Sequence, residues 1–123
     1  MASILVVDDF QQITALLHRI LSAAGHEVTV ASTVDDALAA MSERPTDLVI
    51  TDIFMPDRDG LDFIKSIRAQ YPAIKILAIS GGVGRFPADP YLTMAQYSGA
   101  QLTLTKPFEP AALLKSVSEL LSS

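Results

Sequence analysis

The chain has 123 residues, half of them hydrophobic and 19% charged, with a net charge of −5 and no cysteine. This balance fits one globular domain with a real core, and the missing cysteines exclude disulfides, thiolate catalysis and zinc–thiolate sites. The acidic balance argues against direct nucleic-acid binding, no apolar run reaches the ~18–20 residues of a membrane span, and "MASILVVDD" lacks the basic start of a signal peptide, so a cytoplasmic location is expected.

The first element is "SILVV" (3–7), an apolar run without polar alternation, as in a strand buried on both faces of a parallel sheet. Ile13, Leu16, Leu17, Ile20, Leu21 and Ala24 then recur at helical spacing, with Gly25 placed to end the helix. "HEVTVAS" (26–32) alternates like a half-covered edge strand. Thr33 is placed to cap a second helix carrying Val34, Ala37, Leu38 and Met41. "LVIT" (48–51) is again a buried strand, and it runs straight into Asp52 and a Met55-Pro56 break. Leu61, Ile64 and Ile67 mark a third helix ended by Tyr71-Pro72, followed by the apolar strand "IKILAIS" (74–80). Asp89-Pro90 is placed to open a fourth helix that Gly99 closes. "QLTLT" (101–105) alternates as a second edge, and a last helix starts near Pro110 and carries Leu113, Leu114, Val117, Leu120 and Leu121. Five strand–helix alternations predict an α/β fold, a mostly parallel sheet with helices on both faces and right-handed crossovers, in one domain over residues 1–123.

In such a sheet the functional crevice lies beyond the carboxyl ends of the strands. Strand one ends in Asp8-Asp9, strand three in Asp52, strand four in Ser80, and strand five in Lys106-Pro107. Taken singly, these residues have plain structural roles. Asp9 can cap the first helix with Gln12 as its capping-box partner, Asp52 can cap a turn, Ser80 can belong to a glycine-rich turn, and Lys106 can be solvated. Those roles leave three carboxylates crowded on one patch, where like charges destabilise one another unless a cation intervenes. Only Lys106 offers positive charge there, so an all-oxygen site for a hard cation is expected, with Mg²⁺ the best match. A carboxylate beside Mg²⁺, a hydroxyl and an ammonium suits phosphoryl transfer, with Asp52 as the nucleophile that becomes an acyl phosphate.

The motifs "ILVVDDF", "DLVITDIFMPDRDG", "ILAISGG" and "TKPF", in this order along the whole chain, resemble those of the receiver domain of bacterial two-component response regulators. The resemblance implies a flavodoxin-like five-stranded sheet of order 2-1-3-4-5. It implies a signalling phosphoacceptor rather than an enzyme, phosphorylated on Asp52 by a histidine kinase or a phosphotransfer protein. Asp9 and Asp52 would ligate Mg²⁺ directly, Asp8 mainly through water and Phe54 by its backbone carbonyl; Mn²⁺ can substitute. Ser80 matches the switch hydroxyl, Lys106 the lysine that contacts the phosphoryl group, and Pro107 the family's cis-proline. A downstream protein is expected on the face of the fourth helix, fifth strand and fifth helix, with no direct contact to nucleic acid or membrane.

Two positions depart from the family pattern. Thr103 stands where an aromatic switch residue is usual, and "GGVGRFPADP" lengthens the segment between Ser80 and Lys106, which reads as a modified output surface. Phe54, two residues past Asp52, offers an attacking water no hydrogen bond, which predicts slow self-hydrolysis of the acyl phosphate. With Ser123 as the last residue, a stand-alone receiver is expected. The alternative is a phosphorylation-independent interaction module of the same fold, suggested by Thr103 and opposed by the complete acid set. An aspartyl phosphatase would want an acid where Phe54 stands, and a flavodoxin would have its flavin phosphate repelled by Asp8-Asp9.

Overall fold

The computed structural model describes residues 2–53, 60–80, 94–96, 98–106 and 108–122, with Ser80 given by its strand position alone. Five strands, β1 (Ser3–Val7), β2 (Glu27–Ala31), β3 (Leu48–Asp52), β4 (Lys75–Ser80) and β5 (Leu102–Thr105), form one sheet of order β2-β1-β3-β4-β5. Every pair is parallel. The three runs that lack polar alternation take the central places, and β3 is buried at all five positions. The two alternating runs form the edges, as expected.

Alternate residues of each central strand feed opposite layers of core, as the period of two requires. Leu5, Val7, Val49, Ile76 and Ala78 pack with Met41 of α2 (Val34–Glu43) and with Phe63, Ile64 and Ile67 of α3 (Gly60–Gln70). Ile4, Val6, Ile50, Leu77 and Ile79 pack on the other face with Leu17 and Leu21 of α1 (Gln11–Ala23) and with Leu113 and Val117 of the C-terminal helix (Pro110–Ser122). Each such Leu or Ile, fully taken from water, contributes roughly 1.5–3 kcal/mol, so the two layers fix where every strand tip comes to rest.

Local signals end the helices where the sequence places them. Gly25 has φ +94 behind α1, its N–H donating to the Ser22 carbonyl while that of His26 donates to Leu21, so the left-handed turn needs glycine. The Thr33 hydroxyl accepts from the Asp36 N–H at 3.1 Å and caps α2, with Asp35 and Asp36 placed well for the helix dipole. Residues 94–96 and 98 are helical, and Gly99 closes that segment at φ +134 with its N–H on the Ala95 carbonyl. The expected start at Asp89-Pro90 and the long loop before it lie outside the described residues.

At the amino ends of the strands a polar network ties the frame together. Arg68, in the last turn of α3, donates to the carbonyls of Pro72, Ile74 and Gly99 and to Gln101 Oε1, at 2.7–3.0 Å. Burial pushes its guanidinium below the usual arginine range. The same Gln101 oxygen accepts from the Ile76 N–H at 2.8 Å, joining the start of β4 to the approach to β5. Among the described residues no helix is long and apolar enough to cross a membrane.

Candidate functional site

Strand register decides what meets at the carboxyl ends. Val7 of β1 lies level with Thr51 of β3, Thr51 with Ala78 of β4, and Ala78 with Thr103 of β5. One residue further on, Asp8 and Asp52 leave adjacent central strands at the same height. Their burial follows from that position, with Asp8 2% and Asp52 6% exposed. Ligand atoms of Asp8, Asp9 and Asp52 all lie within 4.8 Å of one another. The crowding expected from the sequence is thus present in the fold.

The three carboxylates are not equivalent. Asp8 Oδ1 accepts the Phe10 N–H at 3.0 Å, a turn in which the side chain mimics a backbone acceptor. Its Oδ2 accepts from Lys106 Nζ at 2.9 Å. Lys106 reaches this point from β5, two strands from β3, and its ammonium also lies 3.7 Å from Asp52 Oδ2. Asp9 Oδ1, by contrast, is buried with no hydrogen-bond partner among the described residues. An orphaned buried oxygen costs about 1–3 kcal/mol, and its carboxylate is one of three grouped within 4.8 Å. That donor chemistry, oxygen only and with Lys106 as its cation among the described residues, fits a hard divalent cation.

The capping alternative for Asp9 is not realised. Helix α1 begins at Gln11 with Phe10 at the N-cap and no side-chain cap, so neither Asp9 nor Gln12 completes a capping box. The helix starts one residue later than that reading needs, and the Phe10 N–H is held by Asp8 instead. Asp9 is left as a member of the acid cluster with one oxygen unpaired among the described residues.

The fold brings Asp8, Asp9, Asp52 and Lys106 together. Ser80 ends β4, level with Thr105 of β5. Phe54, Pro107 and the Ser80 side chain lie outside the described residues. Thr103 sits mid-strand in β5 and is partly exposed, on the sheet face that α3 covers. Two residues went unnoticed in the sequence. Thr51 donates its hydroxyl to the Asp52 carbonyl at 3.0 Å, and Gly60 docks by its N–H on the Ile53 carbonyl at 3.0 Å. A glycine at the first position of a helix signals such an approach, since a side chain is normally welcome there.

The comparisons with known proteins agree with this geometry. The profile of the response regulator receiver domain matches residues 4–118. The transcriptional regulatory protein GltR of Pseudomonas aeruginosa is 36% identical over 124 aligned residues, which cover 97% of this chain and 48% of GltR. The DNA-binding transcriptional regulator NtrC of Azospirillum brasilense is 34% identical over 122 residues, 99% of this chain and 24% of NtrC. The chain therefore spans about a quarter to a half of the length of these two relatives. Among solved structures, the receiver domain of NtrX from Brucella abortus superposes with a TM-score of 0.90 at 34% identity, covering 98% of each chain. The chemotaxis protein CheY4 of Vibrio cholerae superposes with a TM-score of 0.87 at 32% identity, again over 98% of each. With the family profile over most of its length, the expected sheet order and an acid cluster at the strand tips, the chain belongs to the response regulator receiver domain family.

Proposed function

We propose that residues 1–123 act as a phosphoacceptor in two-component signalling, taking a phosphoryl group from a histidine kinase or a phosphotransfer protein onto Asp52. The observation that carries this reading is the buried Asp9 oxygen without a partner, set beside Asp8 and Asp52 with one lysine among them. Asp8, Asp9 and Asp52, with the Phe54 carbonyl, would hold Mg²⁺ or Mn²⁺. Bound there, the cation supplies the positive charge that the acids and the phosphoryl oxygens lack.

A carboxylate oxygen of Asp52 attacks the phosphorus in line with the donor's imidazole. The P–N bond breaks, and its electron pair leaves with the ring nitrogen. Lys106, already within 3.7 Å of Asp52, moves from Asp8 toward the transferred group and offsets its charge. Ser80 then donates its hydroxyl to a phosphoryl oxygen. With threonine at 103, the response at the face of the fourth helix, β5 and the C-terminal helix does not run through an aromatic rotation. That face meets a protein target in the cytoplasm. The chain itself makes no direct nucleic-acid contact, a reading supported by its net charge of −5.

The test is intact mass after incubation with a small acyl phosphate, with and without Mg²⁺, on the parent and on Asp52→Asn. One added phosphoryl group that needs Mg²⁺ and Asp52 is the expected result. A folded parent that gains no mass and binds no Mg²⁺ would favour the constitutive interaction module that Thr103 suggests. On the phosphorylated parent, Phe54→Asn is expected to shorten the acyl-phosphate lifetime.

A further inference from the structure

The Asp52 carboxylate has to stand in register with Asp8 and Asp9, yet it sits on the last residue of β3, where the ladder stops. What holds the backbone there is visible in three contacts. The Ile53 N–H still donates to the Ile79 carbonyl at 3.0 Å. The Asp52 carbonyl accepts the hydroxyl of Thr51, which is wholly buried. The Ile53 carbonyl accepts the N–H of Gly60, the first residue of α3.

Gly60 makes the third contact in a way no other residue can. A Cβ at this position would stand 2.7 Å from the Asp52 carbonyl oxygen and press still closer on that of Ile53. Both are backbone atoms, so no side chain can swing aside. The requirement is one of space, because Gly60 has no positive φ, whereas Gly25 has φ +94 and nothing within 4 Å of a Cβ. Were Gly60 enlarged, either α3 or the end of β3 would have to shift. Helix α3 is anchored by Phe63, Ile64 and Ile67, each at most 2% exposed. Ile53 is as buried as these anchors, so neither side is free to yield alone and the end of β3 takes part of the shift.

We infer that Gly60 and Thr51 are positioning residues for Asp52, clamping the backbone on its carboxyl side so that its carboxylate completes the divalent-cation site. The inference rests on the reading of Asp52 proposed above. Metal ligands must hold their distances to about 0.2 Å, so a displacement too small to unfold the domain is enough to spoil the site.

The experiment titrates Mn²⁺ alone into the full chain and follows free Mn²⁺ by electron paramagnetic resonance, with metal-free urea unfolding in parallel. Parent, Gly60→Ala, Thr51→Val and Gly25→Ala are compared. Gly60→Ala is expected to bind about tenfold more weakly or worse, the range typical of lost outer support around metal ligands. Thr51→Val keeps shape but removes the donor and is expected to weaken binding by a smaller factor. Gly25→Ala is expected to lose stability and keep the parent's affinity. Parent-like affinity in Gly60→Ala and Thr51→Val would overturn the inference, as would an equal loss in Gly25→Ala. If Gly60→Ala does not fold, Thr51→Val decides alone, unchanged affinity counting against the clamp. A parent that takes up no Mn²⁺ would instead remove the cation site itself, and the inference with it.

Discussion

The two ends of the sheet treat polar groups in opposite ways. At the amino end, Arg68 meets three carbonyls and Gln101, and the Gln101 oxygen also takes the Ile76 N–H. Asp47 likewise accepts the Ser3 N–H at 2.9 Å. At the carboxyl end, three acids crowd together, one buried oxygen has no partner, and a single lysine lies between two carboxylates. A finished network stabilises a frame, and an unfinished one carries a cost that a bound cation would offset. The same strands carry both ends, so the difference lies in what the polar groups lack. The Asp8–Lys106 ion pair is a part of the carboxyl end that resembles the other region.

That exception gives the largest expected effect. Lys106→Met leaves Asp8, 2% exposed, without its cation, and is expected to cost about 3 kcal/mol, the low end for a broken buried pair because the lysine is partly exposed. Urea unfolding measures it, and adding Asp8→Asn should restore part of the loss. Full additivity would mean that the pair contributes nothing. Arg68→Met is next, at about 2–3 kcal/mol for a guanidinium whose acceptors lose their donor. It should leave phosphoryl uptake by mass unchanged, since its partners lie at the far end; impaired uptake would blur the division between the ends.

Asp9→Asn is expected to act in the opposite direction. In metal-free protein it removes a charge from an unpartnered buried oxygen, and a gain of about 1 kcal/mol is expected, near 4 °C in Tm. The variant should also lose the stabilisation that Mg²⁺ gives the parent. A destabilised Asp9→Asn would show that the carboxyl end is finished after all. An effect of similar size but confined to stability belongs to Thr33→Ala, which removes the cap of α2 for about 1 kcal/mol and leaves Mn²⁺ binding untouched.

Most of the fold was legible because its signals are local and repeated. Unalternating Ile, Val and Leu runs between helical patterns read as central strands of a parallel sheet; β1 has the bounds of its run, and β3 runs one residue beyond its own, to Asp52. The site was legible at Asp8, Asp52 and Lys106 because a strand's last polar residue lies where strands end together. Asp9 was ambiguous, since an acid before a helix reads equally as a cap. Arg68 read as an ordinary last-turn cation, because its acceptors at Gly99 and Gln101 lie 31 and 33 residues away.

The sequence by itself therefore determined the strand–helix alternation, the central and edge strands and the residues at each tip, all of which follow from period and composition. Tertiary structure alone decided which Asp8 oxygen holds Lys106, that Asp9 keeps an unpaired oxygen, and that Gly60 must lack a side chain. The reason is physical. Burial patterns are set by neighbours along the chain, but a hydrogen bond or a missing Cβ is settled by atoms that meet within a few ångströms only after distant segments have packed.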